Sequence, residues 1–267
     1  MNIYITNCSN TLNYGSMMMG ENFISYFNKI STQKNSFFIE TTDNLNIQRL
    51  KEATNINEIY PVEMDALFKK NSANKYNYVL SYIGLKNIFS DLVKSLDLVV
   101  VLGGDDFTED YGWKGPILNA IKLTLLVKRD IKVIMLGQTI GPYYSFRKII
   151  MKRLLSKINK IYVRESMTFN YLKELGLRNI SITDDLALLP LSKQTEENRS
   201  KIYITYCPSE LIYKYTKAKN RSDWIEFNIF MINTILDNYP QKKIVLIAHV
   251  LEPAHVDDRI IVNDLYE

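Results

Sequence analysis

Short runs of apolar residues alternate along the chain with longer segments in which apolar residues recur at helical spacing. Residues 2–6 are an apolar run typical of a strand, residues 10–16 are a polar loop, and residues 17–27 have the pattern of a helix. The same order returns later, with strands predicted at 98–102, 132–136, 161–163 and 180–183 and helices at 116–127, 145–157 and 168–175. Pro116 suits a first helical turn, Ser145 and Ser222 are candidate N-caps, and Gly176 suits the position just beyond a helix end.

This alternation of short strands and helices predicts βαβ crossovers and a parallel sheet with helices on both faces. We therefore expect a doubly wound, Rossmann-like α/β domain over residues 1–191. Residues 192–200 are polar and charged, as in an interdomain linker. A strand, helix and strand over residues 202–248 then predict the start of a second Rossmann-like domain, residues 201–267. Because a free-standing doubly wound domain needs roughly 100 residues, we expect the second one to be incomplete.

The amino-acid composition and net charge of the chain argue against several classes of protein. The 267 residues are 46% hydrophobic and 23% charged with a net charge of +4, which fits a globular protein and lacks the basic excess of a nucleic-acid binder. No run approaches the ~18 apolar residues of a membrane span. The start lacks the basic leader and apolar stretch of a signal peptide, so we expect a cytoplasmic protein. Cys8 and Cys207 lie far apart, which favours a reducing compartment, and we expect both to be buried.

Small and polar residues follow the predicted strands, where ligands bind in an open parallel sheet. Asn13 and Gly15 open a helix whose free N–H groups favour a phosphate or carboxylate. The spacing is not that of a dinucleotide-binding fingerprint, and a plain strand-to-helix turn explains the same residues. Both interpretations are open.

A second candidate group follows the strand at 98–102. Gly103 and Gly104 permit a sharp turn and a close approach of the backbone to a ligand. Asp105 and Asp106 belong to a crowded set of carboxylates that raise one another's pKa, which makes one of them a candidate general acid or base. Capping of the next helix is the alternative explanation.

Two further loops carry candidate binding residues. Gln138 lies in Gly-Gln-Thr-Ile-Gly-Pro, residues 137–142, for which a structural turn is the stronger interpretation. Arg164 lies at a strand end, where its planar guanidinium can donate two parallel hydrogen bonds to a carboxylate or phosphate. A salt bridge with Asp184 or Asp185 explains Arg164 equally well.

The last candidates lie in the second domain and on one basic helix. His249 ends a predicted strand and suits acid/base work or anion binding, although a lone histidine is more often structural. Asp257 and Asp258 follow and either orient it or cap the last helix. We expect no metal and no cofactor, because no ligand cluster with suitable spacing is present. The basic stretch 147–160 suits peripheral contact with an anionic membrane, but packing against the sheet is the preferred interpretation.

Taken in order, these loops resemble those of the polysaccharide pyruvyl transferase family. The resemblance is carried by Asn13-Tyr14-Gly15, Asp97 to Gly104, Gly137 to Pro142, Val163 to Ser166 with Leu172 to Gly176, Asp185-Leu186-Ala187, and His249 with Asp257-Asp258. It implies a GT-B-like, two-domain arrangement with the active site in the cleft. It also implies that the pyruvyl group of phosphoenolpyruvate is moved onto a saccharide acceptor, as a ketal on a cell-surface or exported polysaccharide.

On that chemistry we assign Arg164 and His249 to the donor, Asp105 or Asp106 to acceptor activation, and Asp185 to orienting Arg164. The substrate-binding set is completed by Asn13, Gly15, Gly103, Gly104 and Gln138. Two departures from the family pattern, Asp105 for a glycine-like position and Leu186 for a proline, indicate another acceptor. The family usually continues past residue 267 with an Arg-x-His segment, so we expect a fragment or a truncated chain. The rival hypotheses are a GT-B glycosyltransferase that uses a nucleotide sugar and an inactive or binding remnant.

Overall fold

The computed structural model describes residues 1–41, 43–70, 74–110, 112–189, 202–210, 212, 220–252 and 256–266. The chain forms two compact units, of which the first contains residues 1–11 and 16–193 and the second residues 12–15 and 194–267. The polar stretch 192–200, predicted as a linker, lies outside the described residues. The domain bounds drawn from the sequence stay a prediction.

An eight-stranded parallel sheet forms the centre of the first unit. The strands are β1 (Asn2–Thr6), β2 (Ser36–Glu40), β3 (Ile59–Val62), β4 (Leu98–Val101), β5 (Gly104–Phe107), β6 (Lys132–Ile140), β7 (Lys160–Val163) and β8 (Ile180–Ile182). They lie side by side in the order β3-β2-β1-β4-β6-β7-β8, and β5 also pairs with β6.

Helices cover both faces of this sheet. Alternate residues of a strand point to opposite faces, so Tyr4 of β1 packs into one core cluster and Ile3 and Ile5 pack into the other. The two buried cores confirm the predicted doubly wound α/β class. The helices are α1 (Tyr14–Ile30), α2 (Asn44–Thr54), α3 (Lys75–Tyr82), α4 (Lys114–Val127), α5 (Arg147–Leu155) and α6 (Ser166–Glu174).

The second unit contains a βαβ element and a small antiparallel pair. Its elements are β9 (Tyr203–Tyr206), α7 (Arg221–Asn238), β10 (Lys243–Leu246), β11 (Leu251–Glu252), β12 (Val256–Asp257) and α8 (Asp258–Tyr266). β9 pairs with β10 in parallel and β11 pairs with β12 antiparallel. Among the described apolar side chains of this unit, only Pro208 and Ile261 are buried, so its apolar burial is far smaller than that of the first unit.

The predicted loop at 137–142 is wrong in its first half. β6 continues to Ile140, because β5 supplies a parallel partner for residues Gln138 to Ile140. Gly137 adopts a φ of 67° inside the strand, and the pairing of β6 with both β5 and β7 shifts register in this region. The glycine therefore marks a bulge within a strand rather than the start of a loop.

Three smaller expectations also need correction. Ser145 does not cap α5, because it adopts a φ of 52° and Phe146 occupies the capping position. α7 is capped by Asn220, whose side chain accepts a hydrogen bond from the Asp223 N–H, and not by Ser222. Cys8 is buried as expected, and burial raises the pKa of its thiol to about 12, whereas Cys207 is exposed.

The basic helix α5 packs by its apolar side. Met151, Leu154 and Leu155 are buried in the core of the first unit. Within the described part of the chain, no helix has the length and apolar character that a bilayer crossing requires. This burial agrees with the preferred interpretation of the stretch 147–160, and peripheral contact with an anionic membrane stays a prediction.

Candidate active site

Two glycines allow the segment after β4 to approach the backbone of the bulge inside β6. A Cβ on Gly103 would lie 2.5 Å from the carbonyl oxygen of Gly137 and 2.9 Å from Met19 Sδ, distances that no side chain tolerates. The absence of a side chain at Gly103 is therefore required by a neighbouring segment of the protein itself. A substrate contact at Gly103 or Gly104 stays a prediction.

Gln138 is a paired residue within strand β6 and does not lie in a loop beyond the end of that strand. Its side chain is fully buried, and Nε2 donates to the carbonyl oxygens of Leu102 at 2.6 Å and Val101 at 3.1 Å. Oε1 is buried and accepts no hydrogen bond within the described part of the chain. The amide thus fixes the end of β4 to β6, a positioning role that the sequence analysis did not predict.

The carboxylate of Asp106 stands beside the end of β1. Its Oδ2 accepts a hydrogen bond from Nδ2 of Asn7 at 3.0 Å, and a Cβ on Gly104 would lie 2.8 Å from the same oxygen. Asp106 is exposed as a residue, but the surrounding protein partly desolvates its carboxylate. This desolvation, together with the charge of Asp105, raises the pKa of Asp106 above its ordinary value. Such a carboxyl group suits proton transfer.

Arg164 forms the salt bridge with Asp185 that the sequence allowed. Nη1 of Arg164 donates to Asp185 Oδ2 at 2.7 Å, and Nε donates to Thr139 Oγ1 at 3.1 Å. Asp185 Oδ1 accepts from the Ala187 N–H at 2.9 Å, so the carboxylate is itself held. The two side chains are 29% and 25% exposed, and Nη2 of Arg164 donates no hydrogen bond to the residues that the structure describes. The guanidinium is therefore fixed in place and still reachable by a ligand.

Asn13, Gly15 and His249 lie together in the second unit. Asn13 bridges to Val250, the Tyr14 N–H donates to the His249 carbonyl at 3.3 Å, and the Tyr14 and His249 rings lie 6.3 Å apart, edge to face. A Cβ on Gly15 would lie 3.4 Å from Nε2 of His249. The structure thus joins the first and the last motif of the chain in one cluster.

Asp258, but not Asp257, holds the backbone near His249. Asp258 Oδ2 accepts from the Val250 N–H at 2.8 Å and the His249 N–H at 3.3 Å, and Oδ1 accepts from the Glu210 N–H at 2.8 Å. Asp257 is paired with Arg259. Of the two expected roles, Asp258 orients the segment that carries His249, and it does so through backbone N–H groups.

Several residues that hold the segments at the strand ends in place were not predicted from the sequence. Asn7 holds Asp106, and its position directly after β1 was the available signal. The Tyr171 hydroxyl accepts from the Tyr143 N–H at 2.7 Å, and the Tyr143 hydroxyl donates to the Phe107 carbonyl at 2.7 Å, which fixes the segment after β6. No sequence signal pointed to these tyrosines. In the described ranges no three His, Cys, Asp or Glu side chains are grouped so as to hold a metal ion.

The doubly wound α/β sheet, with the Arg164 guanidinium and the Asp106 carboxyl group at its strand ends, defines a Rossmann-like protein. The particular family follows from the sequence comparison. The family model for polysaccharide pyruvyl transferase matches residues 13–266, so the chain belongs to that family. Among curated protein sequences, none matches the chain.

Solved structures share the fold at low sequence identity. A UDP-GlcNAc 2-epimerase from Neisseria meningitidis bound to UDP-GlcNAc is similar with a TM-score of 0.53 and 14% identity, over 99% of this chain and 69% of that one. The S. aureus MnaA–UDP co-structure is similar with a TM-score of 0.54 and 9% identity, over 100% and 65%. A further UDP-N-acetylglucosamine 2-epimerase is covered over 62% of its length. The chain thus spans less than two thirds of these last two proteins, and the likeness concerns the fold alone.

Proposed function

We propose that this protein transfers the pyruvyl group of phosphoenolpyruvate to a saccharide and forms a ketal with two of its hydroxyl groups. The observation that carries the proposal is the family match over residues 13–266. The arrangement of Arg164 and Asp106 at the strand ends of the first unit supports it, because each side chain suits one of the two reactants.

Arg164 is assigned to the donor. Phosphoenolpyruvate carries a carboxylate and a phosphate, and a guanidinium offers either of them two parallel hydrogen bonds. The salt bridge with Asp185 and the bond to Thr139 keep Arg164 in one orientation, which lowers the entropy lost when an anion binds. Asp185 is in this scheme a positioning residue.

Asp106 is assigned to the acceptor. A carboxyl group with a raised pKa is a better base than an ordinary aspartate when a sugar hydroxyl must lose its proton. The hydrogen bond from Asn7 fixes one carboxylate oxygen, so the other is oriented for the substrate. Asp105 contributes by its charge.

The reaction consists of an addition to C2 of phosphoenolpyruvate followed by a displacement of phosphate from C2. Protonation of the methylene carbon of phosphoenolpyruvate leaves a cationic C2, and the first hydroxyl oxygen bonds to C2 as its proton passes to a base. The C2–O bond to phosphate then breaks, and the second hydroxyl oxygen bonds to C2 to close the ketal. Of the two hydroxyl protons, one balances the new C–H bond and the other leaves with phosphate.

The cluster of Asn13, Gly15 and His249 is assigned to substrate binding and proton transfer. The backbone N–H of His249 is held by Asp258, and its carbonyl oxygen accepts a hydrogen bond from the Tyr14 N–H at the start of α1. We assign His249 to the donor and to protonation of its methylene carbon. This role rests on residue chemistry and on the family match.

The test measures phosphate release from phosphoenolpyruvate with a panel of methyl glycosides, and proton NMR detects the ketal methyl group. Arg164→Ala should lower phosphate release by about 10²-fold or more, as expected when a group that binds developing charge is removed. The matched control is Arg178→Ala, an exposed arginine after α6, which should keep the wild-type rate. Equal rates for Arg164→Ala and wild type would remove Arg164 from the proposal.

The nucleotide-sugar hypothesis is separated by ligand-induced stabilisation. A ligand at a hundred times its Kd raises the free energy of unfolding by about 2.7 kcal/mol. We expect phosphoenolpyruvate to raise the Tm of the wild type and not that of Arg164→Ala. A rise with UDP-GlcNAc and none with phosphoenolpyruvate contradicts pyruvyl transfer and supports a glycosyltransferase.

A further inference from the structure

A cavity of about 210 Å³ opens in the first unit between the sheet and α4. Well-packed interiors contain few voids larger than a water molecule, so a cavity of this size is not a packing defect. It is smaller than the roughly 300–1,000 Å³ typical of drug-sized ligands, which favours one small molecule. The lining of the cavity includes two aromatic side chains, Phe68 and Phe107. Its polar side chains are those of Asn7, Glu40, Asp65 and Lys122.

Glu40, Asp65 and Lys122 form one connected chain of hydrogen bonds with the hydroxyl group of Tyr4. Lys122 Nζ donates to Asp65 Oδ1 at 2.6 Å, the Asp65 N–H donates to Glu40 Oε1 at 2.9 Å, and the Tyr4 hydroxyl donates to the same oxygen at 2.7 Å. The side chains of Lys122 and Asp65 are 19% and 38% exposed, so the chain runs from the core to the solvent-exposed opening. Its members come from β1, β2, the segment after β3, and α4.

The charges of the cavity select against an anion. Glu40 and Asp65 line it and are opposed by Lys122, which is already paired with Asp65. Asp106 adds a further carboxylate nearby, since it is hydrogen-bonded to Asn7 on the cavity wall. Phosphoenolpyruvate would meet like charges here. The hydroxyl groups of a neutral ligand could donate hydrogen bonds to the carboxylate and amide oxygens of the cavity and accept one from the ammonium group of Lys122. The C–H groups of such a ligand could pack against the aromatic side chains.

We infer that this cavity binds one neutral hexopyranose unit, the sugar that carries the accepting hydroxyl groups. The inference rests on the proposed function for the identity of the ligand and on the cavity for its location. Asn7 provides the geometric link, because it lines the cavity and at the same time holds Asp106, the carboxylate assigned to acceptor activation. A sugar in the cavity therefore lies next to its base.

The experiment titrates methyl glycosides of galactose, glucose, mannose and N-acetylmannosamine into the full chain and follows binding by saturation-transfer NMR. Lys122→Met removes the ammonium group and keeps most of the length of the side chain. Asn119→Phe fills the cavity from α4 without touching the hydrogen-bonded chain. Lys132→Met, at an exposed lysine at the start of β6, is the matched control.

We expect at least one glycoside to bind, with tenfold or weaker affinity in Lys122→Met and Asn119→Phe and unchanged affinity in Lys132→Met. Binding that is equal in all variants, or no binding by any glycoside, overturns the inference. Pyruvyl transfer with an unchanged acceptor KM in both cavity variants overturns it as well, while the proposed function stands. Glycoside binding that the two variants lose, in a protein that phosphoenolpyruvate does not stabilise, keeps the cavity assignment and removes the proposed function.

Discussion

Replacing Gly103 by alanine places a methyl group where the backbone of β6 already lies. The new Cβ would be 2.5 Å from the Gly137 carbonyl oxygen, nearly an ångström short of the 3.4 Å at which ordinary contact begins. Met19 Sδ, 2.9 Å away, can move because its side chain is flexible. The carbonyl of Gly137 cannot, because it belongs to a bulge that pairs on both sides.

The expected cost follows from that difference. Overpacking of a core costs about 1–3 kcal/mol, and the fixed carbonyl puts Gly103→Ala in the upper part of this range. For a unit of this size each kcal/mol lowers Tm by about 2–4 °C, so we expect a Tm lower by roughly 4–12 °C. Urea unfolding followed by far-UV circular dichroism measures the free energy directly.

Gly115→Ala is the matched control. Gly115 lies in the first turn of α4, directly before Pro116, and apart from its neighbours in the chain a Cβ there meets no atom within 4 Å. Alanine is favoured over glycine in helices by up to about 1 kcal/mol, while a Cβ before a proline disfavours the helical conformation, so this variant should change the free energy of unfolding by less than about 1 kcal/mol. If both variants unfold at the same urea concentration, the contact between Gly103 and Gly137 does not constrain the fold and the reasoning fails.

Three further predictions concern the same unit and its neighbour. Gln138→Leu should lower the free energy of unfolding by about 1–3 kcal/mol in urea denaturation, because buried carbonyls of β4 lose their donor. Hydrogen bonds from Arg147 hold the pKa of Glu109 below its ordinary 4.5, so its stabilisation is present above that pH and is lost as pH falls through the lowered pKa. Glu109→Gln should therefore be less stable than wild type at neutral pH, with a margin that shrinks in acid unfolding experiments. Hydrogen exchange should be slower in β4 and β6 than in β9 and β10, because the second unit buries little apolar surface.

The strands and helices predicted from the sequence are those with a strong local pattern. β1, β4, β6, β7 and β8 are apolar runs, and each was found near its predicted position. β5 was missed because Gly104, Asp105 and Asp106 have low strand propensity, and only its pairing with β6 makes it extended. β3 contains Pro61, which an edge strand tolerates because one side lacks a partner in the described sheet.

Some contacts of the candidate site could likewise be predicted from the sequence, and others could not. Arg164 and Asp185 were paired from their positions after two neighbouring strands, which is information that the order of elements contains. The cavity residues Glu40, Asp65 and Lys122 come from segments without a common pattern, and their convergence depends on the sheet order. Gln138 was placed on the edge because a register shift within β6 is invisible in sequence.

Sheet order also relates the two assigned centres. Asp106 lies on β5 and Arg164 directly follows β7, and both strands pair with β6. Two strand spacings of ~4.8 Å place the backbones of these centres roughly 10 Å apart. That is room for a small anion and a sugar side by side. β6 is then the spacer between the assigned donor and acceptor, and the register of its pairing with both neighbours shifts near Gly137. The contact between Gly103 and Gly137 therefore supports the geometry of the proposed reaction as well as the stability of the fold.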